Sequence, residues 1–345
     1  MLNSLLDFRD ILIGFVLGIA ATISSGFFVC WLRKTVSVKR AGAEQIEALR
    51  AWAGTDRQQS FRNVGLRKAD LRGLDLGTGE NQSAGVDLSY ADLRQANLGE
   101  AILVKADFAG ANMADVTLDG AKMMEANLPR ANLHGSSMRR AEMGRVNLME
   151  ADLRDADLSY AHAQNANLGQ AMLQGATLEH ADLRAAHVWG AYLQRASLAG
   201  ANLTRTSISR CNMQRANLSK AVLREADLTE TKLMGATLTD ANLQGATLSD
   251  ADMRNALLNH ASLKDACLLR ANLQDADMGY AQLQGADLQH SWMERANLEG
   301  ADLRGASLAG ANLQGAFLQG AKVSQKQLDS ASVAGAVLPD DILLE

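Results

Sequence analysis

The chain has 345 residues and a formal net charge of −5, with 34 basic against 39 acidic side chains. This near balance excludes a polycation that coats nucleic acid through bulk charge, and 3 Cys exclude a disulfide-stabilised scaffold. Hydrophobic residues make up 47% of the chain but aromatic residues only 4%, so the core must be built from aliphatic side chains rather than from rings.

The first distinctive element is an uncharged run from Ile11 to Leu32. At about 1.5 Å per residue, a helix of this length spans a hydrocarbon core of ~30 Å. A secretory signal peptide is the alternative, but Asp7 and Asp10 precede the run and no small-x-small cleavage site follows it. Basic side chains are concentrated just after the run, in residues 33–40, which predicts that this side faces the cytoplasm.

The run therefore predicts a single-pass protein of the bacterial inner (cytoplasmic) membrane. Residues 1–10 would lie outside, residues 11–32 would form the transmembrane helix, and the rest of the chain would be cytoplasmic. Gly14 and Gly18 form a G-x-x-x-G motif, and Thr22 lies one turn further on the same helix face. Small residues at this spacing let two helices approach closely. This face is a candidate for homodimerisation, and a lipid-facing monomer is the alternative.

A five-residue repeat occupies most of the remaining chain. Every fifth residue from Val86 to Ala321 is small, and nearly all are Ala. Two residues after each small residue comes a large apolar one, mostly Leu, except at Ala163, and the residue between them is most often Asp or Asn. A period of five fits neither an α-helix nor a β-strand. The backbone must therefore turn a corner every five residues, with one small and one large side chain directed inward.

This pattern resembles the A-(D/N)-L-x-x motif of the pentapeptide-repeat family, as in Ala91-Asp92-Leu93. The resemblance implies an all-β solenoid, a right-handed quadrilateral β-helix in which four repeats form one coil. Residues 86–325, together with an earlier coil, would give about 12–13 coils, preceded by the transmembrane helix. Coils stacked at strand spacing place Leu on Leu and Ala on Ala along one continuous core.

The segments that flank the repeat complete the expected organisation. Leu88 lies twelve residues after Leu76, where two sides of a coil need ten, so the connection is predicted to contain two extra residues in a run of turn-forming residues. The remaining domains are a basic juxtamembrane segment with a short capping helix at 33–58, a first coil at 59–78, a loop insertion at 79–85 and a C-terminal cap at 326–345.

Outward positions offer no recognisable catalytic or metal chemistry. Of the 6 His residues, only His180 and His260 are expected in one outward row, four coils apart. Cys211 and Cys267 are almost three coils apart, too far for a disulfide or a shared zinc ion. No P-loop, G-x-S-x-G or H-E-x-x-H motif occurs. We therefore expect no enzyme activity, no cofactor and no metal site.

A basic stretch interrupts the otherwise acidic repeat region, because no Asp or Glu occurs between Asp182 and Glu225. Exposed aromatic side chains beside Arg are typical of contact surfaces. We name this stretch the basic belt and predict that it binds a partner; a solvated belt without a ligand is the alternative. Its candidate residues are Arg184, His187, Trp189, Tyr192, Arg195, Arg205, Arg210, Arg215, Lys220 and Arg224.

These features favour a non-enzymatic, membrane-tethered scaffold that presents a stiff β-helical rod to an unidentified protein partner. The charge of the basic belt suggests an acidic partner. The alternative comes from the family resemblance, since some members have acidic surfaces that resemble duplex DNA and bind DNA topoisomerases. The acidic excess of this rod is small, and a membrane anchor argues against targets on chromosomal DNA. Binding of nucleic acid by the chain itself is not expected.

Overall fold

The computed structural model describes residues 61–77 and 85–342 of the chain. No helix within these residues is long and apolar enough to cross a bilayer. Outside them lie the predicted transmembrane helix at 11–32 with Gly14, Gly18 and Thr22, the juxtamembrane segment at 33–58 and most of the loop at 79–85.

Each five-residue repeat forms one side of a square coil. Its small and large apolar residues are buried, as are Ala91 and Leu93. The residue between them pairs in parallel with the residue twenty positions later, as Asp92 does with Asn112. These pairs are isolated β-bridges rather than extended strands, and they run along the rod from the bridge Gly65↔Asp92 to the bridge Phe317↔Val337.

A β-turn closes the corner after each large residue. The N–H of Ala91 donates to the carbonyl of Leu88 at 3.1 Å. Tyr90, the third residue of that turn, has a φ of 58°, and a positive φ at this position is typical of a type II turn. Other N–H groups cross to the next coil, as that of Leu88 does to the carbonyl of Asp107 at 2.7 Å. Backbone donors are thus used both within and between coils.

Asp and Asn recur between the inward residues because their side chains satisfy a further N–H at the corner. The Oδ1 of Asn97 accepts the N–H of Gly99 at 3.0 Å, and the Oδ1 of Asp107 accepts that of Ala109 at 2.9 Å. This is an Asx turn, in which a short side chain bonds the backbone two residues on. The recurring Asp and Asn are therefore structural.

The core is one continuous cluster of Leu, Ala and a few other apolar residues along the rod. Met113 fills one of the Leu positions and is fully buried. Three of the polar residues that take Ala positions, Thr206, Cys211 and Thr231, bond a carbonyl of the preceding coil. The Thr206 hydroxyl donates to the carbonyl of Leu183 at 2.8 Å, and the Cys211 thiol to that of Val188 at 3.0 Å.

The square coil has four outward faces, which we name by the large residues Leu88 (face 1), Leu93 (face 2), Leu98 (face 3) and Leu103 (face 4), continuing every twenty residues. On each side, the residue between the small and the large inward residue occupies the middle position. The two residues after the large inward residue occupy the first and second turn positions, as Ser89 and Tyr90 do after Leu88. Twelve coils of this register occupy residues 86–325.

The connection after the first coil is longer than predicted. The N–H of Phe61 donates to the carbonyl of Asp87 at 2.7 Å, and that of Leu76 to Ile102 at 2.8 Å. Phe61 therefore belongs to face 1 and Leu76 to face 4. Leu88 is the next large residue of face 1, twelve residues after Leu76 where five would suffice. The insertion carries seven extra residues, not two, because the sequence interpretation counted an additional side within the loop.

A short helix, α1 (Gln325–Asp329), replaces a repeat near the C-terminal end. Ser324 is its N-cap and forms a capping box with Gln327. The Gln327 amide also donates to the carbonyls of Leu303 and Ala306, at 2.7 and 2.8 Å. The carbonyl of Ala306 is one that a further repeat would otherwise have bonded, whereas that of Leu303 already accepts the N–H of Ala306 at 3.0 Å. The helix α1 thus closes part of the rod's open edge.

Candidate partner-binding site

The basic belt does not form one surface, since its residues are spread over all four faces. A rigid partner surface contacts one face and its edges, so only a subset of the belt can act together. At the second turn position, Arg195 and Arg215 lie on face 2, Arg210 on face 1, Lys220 on face 3 and Arg205 on face 4.

Three arginines of the belt are neutralised by carboxylates. Two of the three pairs could not be recognised from neighbouring residues in the sequence, because the carboxylate lies twenty residues, one full coil, after the arginine. The ion pair with Arg205 lowers the pKa of Glu225. The three pairs are Arg205 with Glu225 (Nε to Oε2, 2.7 Å), Arg210 with Glu230 (Nε to Oε2, 3.1 Å) and Arg184 with Asp182 (Nη2 to Oδ2, 2.7 Å).

At several other places on the rod, a charged side chain at the second turn position faces an opposite charge on the next coil. Side chains at this position lie over the following coil, as the ring of Tyr90 does over Gly110. A cation and an anion twenty residues apart at this position can therefore form an ion pair. Such pairs include Arg130 with Glu150 at 2.8 Å, Asp250 with Arg270 at 2.6 Å and Asp275 with Arg295 at 2.6 Å.

Arg195 and Arg215 depart from this arrangement. They occupy neighbouring coils in one row of face 2, and both are exposed. Neither forms an ion pair with any described residue, whereas Arg184, Arg205 and Arg210 do. Gly175 precedes them and Gly235 follows them in the same row, so the adjacent coils supply no counter charge. Two arginine side chains thus project from backbone positions about one coil spacing, ~4.8 Å, apart along the row.

An open groove with a volume of about 540 Å³ runs along face 2 beside these arginines. Gln174, Gln194 and Gln214 stack as a column at the first turn position and line it. The Oε1 atoms of Gln174 and Gln194 are buried without a hydrogen-bond partner among the described residues. The carbonyl groups of these two side chains therefore have unused capacity to accept hydrogen bonds.

Aromatic residues lie on the opposite edge of face 2. Tyr192 occupies a middle position and is 46% exposed. Trp189 lies just around the corner on face 1 and is 40% exposed. Its indole covers Gly169, where an added Cβ would lie 2.8 Å from the indole Nε1. Face 2 therefore presents an aromatic edge, a column of amides and an arginine edge side by side.

The structure brings together only part of the predicted belt. Tyr192, Arg195 and Arg215 share face 2, and Trp189 borders it. Sequence reasoning missed the glutamine column, although Gln repeated every twenty residues was a visible signal. The other unpaired members lie elsewhere: His187 on face 1, Lys220 on face 3 and Arg224 on face 4.

Among the described residues outside face 2, nucleophiles and histidines form no reactive cluster. His180 stacks on Tyr160 with ring centroids 5.1 Å apart, and His260 stacks on Tyr280 at 5.4 Å. Burial raises the pKa of the Cys211 thiol to about 12, which keeps it protonated at neutral pH. No group of three or more His, Cys, Asp or Glu within the described ranges could hold a metal ion.

The repeat pattern, the twenty-residue bridges and the four faces agree with a comparison against protein families. The chain matches the family described as Pentapeptide repeats in 8 copies. It belongs to the pentapeptide-repeat family. Members of this family fold as right-handed quadrilateral β-helices and are generally non-enzymatic interaction proteins. The matched residues are 87–123, 118–155, 151–190, 190–224, 201–240, 241–279 and 281–320.

Solved structures with similarity to the chain include HetL, a pentapeptide repeat protein involved in heterocyst differentiation regulation from the cyanobacterium Nostoc. It is 30% identical, with 86% of this chain and 93% of HetL covered and a TM-score of 0.20. A pentapeptide repeat protein from the cyanobacterium Cyanothece is 38% identical over 28% of this chain and 58% of its own, with a TM-score of 0.20. QnrB1, a plasmid-mediated fluoroquinolone resistance protein, is 15% identical over 49% and 85%, with a TM-score of 0.30. No curated protein matches the chain.

Proposed function

We propose that the protein is a non-enzymatic, membrane-tethered scaffold that binds a protein partner through face 2. The observation that carries the proposal is the combination on this face of exposed aromatic residues, hydrogen-bonding amides and two uncompensated arginines. The few residues that dominate the binding energy of protein interfaces are enriched in Trp, Tyr and Arg. The uncharged run at 11–32 supports the tether.

The construction of the rod supports recognition rather than catalysis. Leu and Ala fill its interior, so the groups that can interact lie outward on flat faces. Each coil is bonded to its neighbours along the axis, which holds these side chains in fixed rows. Fixed rows suit a binding surface because little conformational freedom is lost when a partner docks.

Regulation of a DNA topoisomerase by DNA mimicry is the alternative. A mimic needs continuous columns of negative charge, like the phosphates of a duplex. On this rod, carboxylates at the second turn position are interrupted by arginines that bind them, as Arg270 binds Asp250 and Arg295 binds Asp275. The surface therefore favours the scaffold.

A crosslinked pull-down from membranes with the full-length protein tests the proposal. A variant with Arg195→Glu and Arg215→Glu should lose a specific protein that the wild type captures. The matched control carries Arg205→Glu and Arg210→Glu, which changes the net charge equally on other faces, and should retain it. Equal capture by all three proteins would show that face 2 is not the contact. A topoisomerase recovered in all lanes would favour DNA mimicry instead.

The tether is tested separately by fractionation. Deleting residues 1–32 should move the protein from the membrane to the soluble fraction while the rod stays folded. Protease added outside intact cells should leave the rod of the full-length protein uncut. Cleavage of the rod from outside would reverse the proposed orientation, and membrane retention of the deleted protein would show that another element binds the bilayer.

A further inference from the structure

Arg195 and Arg215 lack the charge compensation that many charged side chains at the second turn position have, including Asp275 and Arg295 further along the same row. Where like charges meet on face 1, at Glu230 and Asp250, each carboxylate has an arginine on its other side, at 3.1 and 2.6 Å respectively. On face 2, glycine stands on both sides of the arginine pair. Two exposed cations about one coil spacing apart repel each other at low salt. Binding of an external anion would therefore relieve the repulsion between Arg195 and Arg215.

Carboxylate is the anion that best fits these groups. A guanidinium offers a planar fork of N–H donors that binds a carboxylate through two parallel hydrogen bonds. The rod itself uses this contact, since Arg295 binds Asp275 with Nε at 2.7 Å and Nη2 at 2.6 Å.

The short length of the positive track excludes a long polyanion as the best ligand. Two coils before Arg195, the same row holds Asp155, whose side chain is 68% exposed. Three coils after Arg215, the row holds Asp275, already bound to Arg295. A nucleic acid strand needs a longer run of positive charge for its successive phosphates, and an anionic bilayer needs a broader basic patch. One or two carboxylates fit the space between.

The aromatic edge adds a requirement for apolar groups beside those carboxylates. Tyr192 lies on the same face as the arginine pair, with the amide column between them, and Trp189 extends the apolar surface around the corner. We propose that face 2 binds an acidic peptide segment of the partner. Its carboxylates lie on Arg195 and Arg215, and its apolar side chains lie on Tyr192 and Trp189. This inference rests on the proposed scaffold function and names its ligand class.

Fluorescence anisotropy with the full-length protein in detergent tests the inference. The probe is a labelled short peptide in which Glu alternates with Leu, and the matched probe carries Gln in place of Glu. The wild type should bind the Glu peptide and not the Gln peptide. Arg195→Gln with Arg215→Gln should weaken binding about tenfold or more, as expected for the loss of charged hydrogen bonds. Tyr192→Ala should weaken it by several-fold.

Arg205→Gln with Arg210→Gln is the control, because it removes the same charge from two other faces. Its affinity for the Glu peptide should stay within about twofold of wild type. If both double variants weaken binding equally, the effect depends only on net charge and the inference is wrong. Tighter binding of a single-stranded oligodeoxythymidylate, or of phosphatidylglycerol vesicles, would overturn it in favour of those ligands. Thermal melting of each variant confirms that the rod is folded.

Failure of the inference is distinguishable from failure of the scaffold function. If capture of the partner from membranes requires Arg195 and Arg215 but the wild type does not bind the Glu peptide, the scaffold function stands and the proposed ligand class is wrong. If the Glu peptide binds at the two arginines but the captured protein is unaffected by their replacement, the site is real and the partner uses another face.

Discussion

The guanidinium Nη2 of Arg304 lies 2.6 Å from Oδ2 of Asp302, while the backbone N–H of the same arginine lies 3.3 Å from Oδ1. One carboxylate thus closes the corner of the coil and binds the side chain that follows the corner. An Asp at the middle position and an Arg two residues later, with Leu or Met between them, form this clamp because the middle and first turn positions project from the same face. It recurs in Asp92–Arg94, Asp152–Arg154, Asp182–Arg184 and Asp252–Arg254.

The clamp predicts a loss of stability in acid. Hydrogen bonds from Arg304 lower the pKa of Asp302 to about 2 from its usual 3.8. Because the folded pKa lies below the unfolded one, the stabilisation is present above pH ~4 and is lost as the pH falls from ~4 to ~2. Asp302→Asn should flatten this part of a plot of melting temperature against pH, which thermal melting from pH 2 to pH 6 measures. Asp265→Asn, at an exposed corner without an arginine partner among the described residues, should leave the plot close to wild type. Superimposable plots for wild type and Asp302→Asn would contradict the prediction.

A second prediction concerns the core. Leu203 is 1% exposed and lies between Leu183 and Leu223 in the face 4 column. Leu203→Asp places an unpaired carboxylate in this column, so we expect no folded, soluble protein. Leu203→Ala should lower the free energy of unfolding by about 2–5 kcal/mol, as measured in urea.

Asn202→Ala is the neighbouring control. It removes an Asx turn in which Asn202 Oδ1 accepts the N–H of Thr204 at 3.1 Å, so it should cost about 1 kcal/mol. A fully stable Leu203→Asp protein would contradict the inward assignment of the large residues.

The period of five was sufficient to predict which residues face inward. Small and large apolar residues alternate in one register from Val86 to Val323, and the structure buries both sets. The charge environment could not be predicted from proximity along the chain, since the neighbour of a residue in space lies twenty positions away. Glu225 is the first acidic residue after the acid-free stretch, and Glu230 follows it. In the structure, Glu225 contacts Arg205 and Glu230 contacts Arg210. For the same reason, the sequence placed Arg195 and Arg215 in the basic belt but could not predict that they lack ion-pair partners among the described residues.

Thiol labelling distinguishes inward from outward positions. Cys211 takes an Ala position, is fully buried and has a pKa raised to about 12 by burial. Cys267 occupies a middle position and is partly exposed, with its sulfur 3.2 Å from the Ser249 hydroxyl. We expect iodoacetamide to modify Cys267 in the folded protein, and Cys211 only after denaturation, as followed by peptide mass mapping. Labelling of Cys211 at the rate of Cys267 would show that the coil opens locally.

A glycine at the second turn position leaves room for the side chain at the same position of the preceding coil. Gly300 has a φ of 63°, and an added Cβ would lie 2.6 Å from Cδ1 of Tyr280. Gly320, one coil later, has a φ of 65° but its added Cβ would meet nothing closer than 4.0 Å. Both Ala substitutions carry the strain of a left-handed backbone, so Gly300→Ala should lower the melting temperature more than Gly320→Ala. Combining Gly300→Ala with Tyr280→Ala should remove the difference. Equal effects of the two single substitutions would show that the Tyr280 ring moves aside without cost.

The uncompensated arginine pair predicts a stability effect of unusual sign. Removing a positive charge from a repelling pair relieves repulsion, whereas removing it from an ion pair loses attraction. At low salt, Arg215→Gln should therefore melt at or above the temperature of wild type, while Arg205→Gln, which loses the 2.7 Å contact with Glu225, should melt below it. Both variants lower the net charge equally, so any difference between them reflects local surroundings. In about 0.5 M salt the screening length falls to a few ångströms, and both melting temperatures should converge on wild type. A lower melting temperature for Arg215→Gln at low salt would mean that Arg215 has a stabilising partner, and the anion site on face 2 would then be occupied by the protein itself.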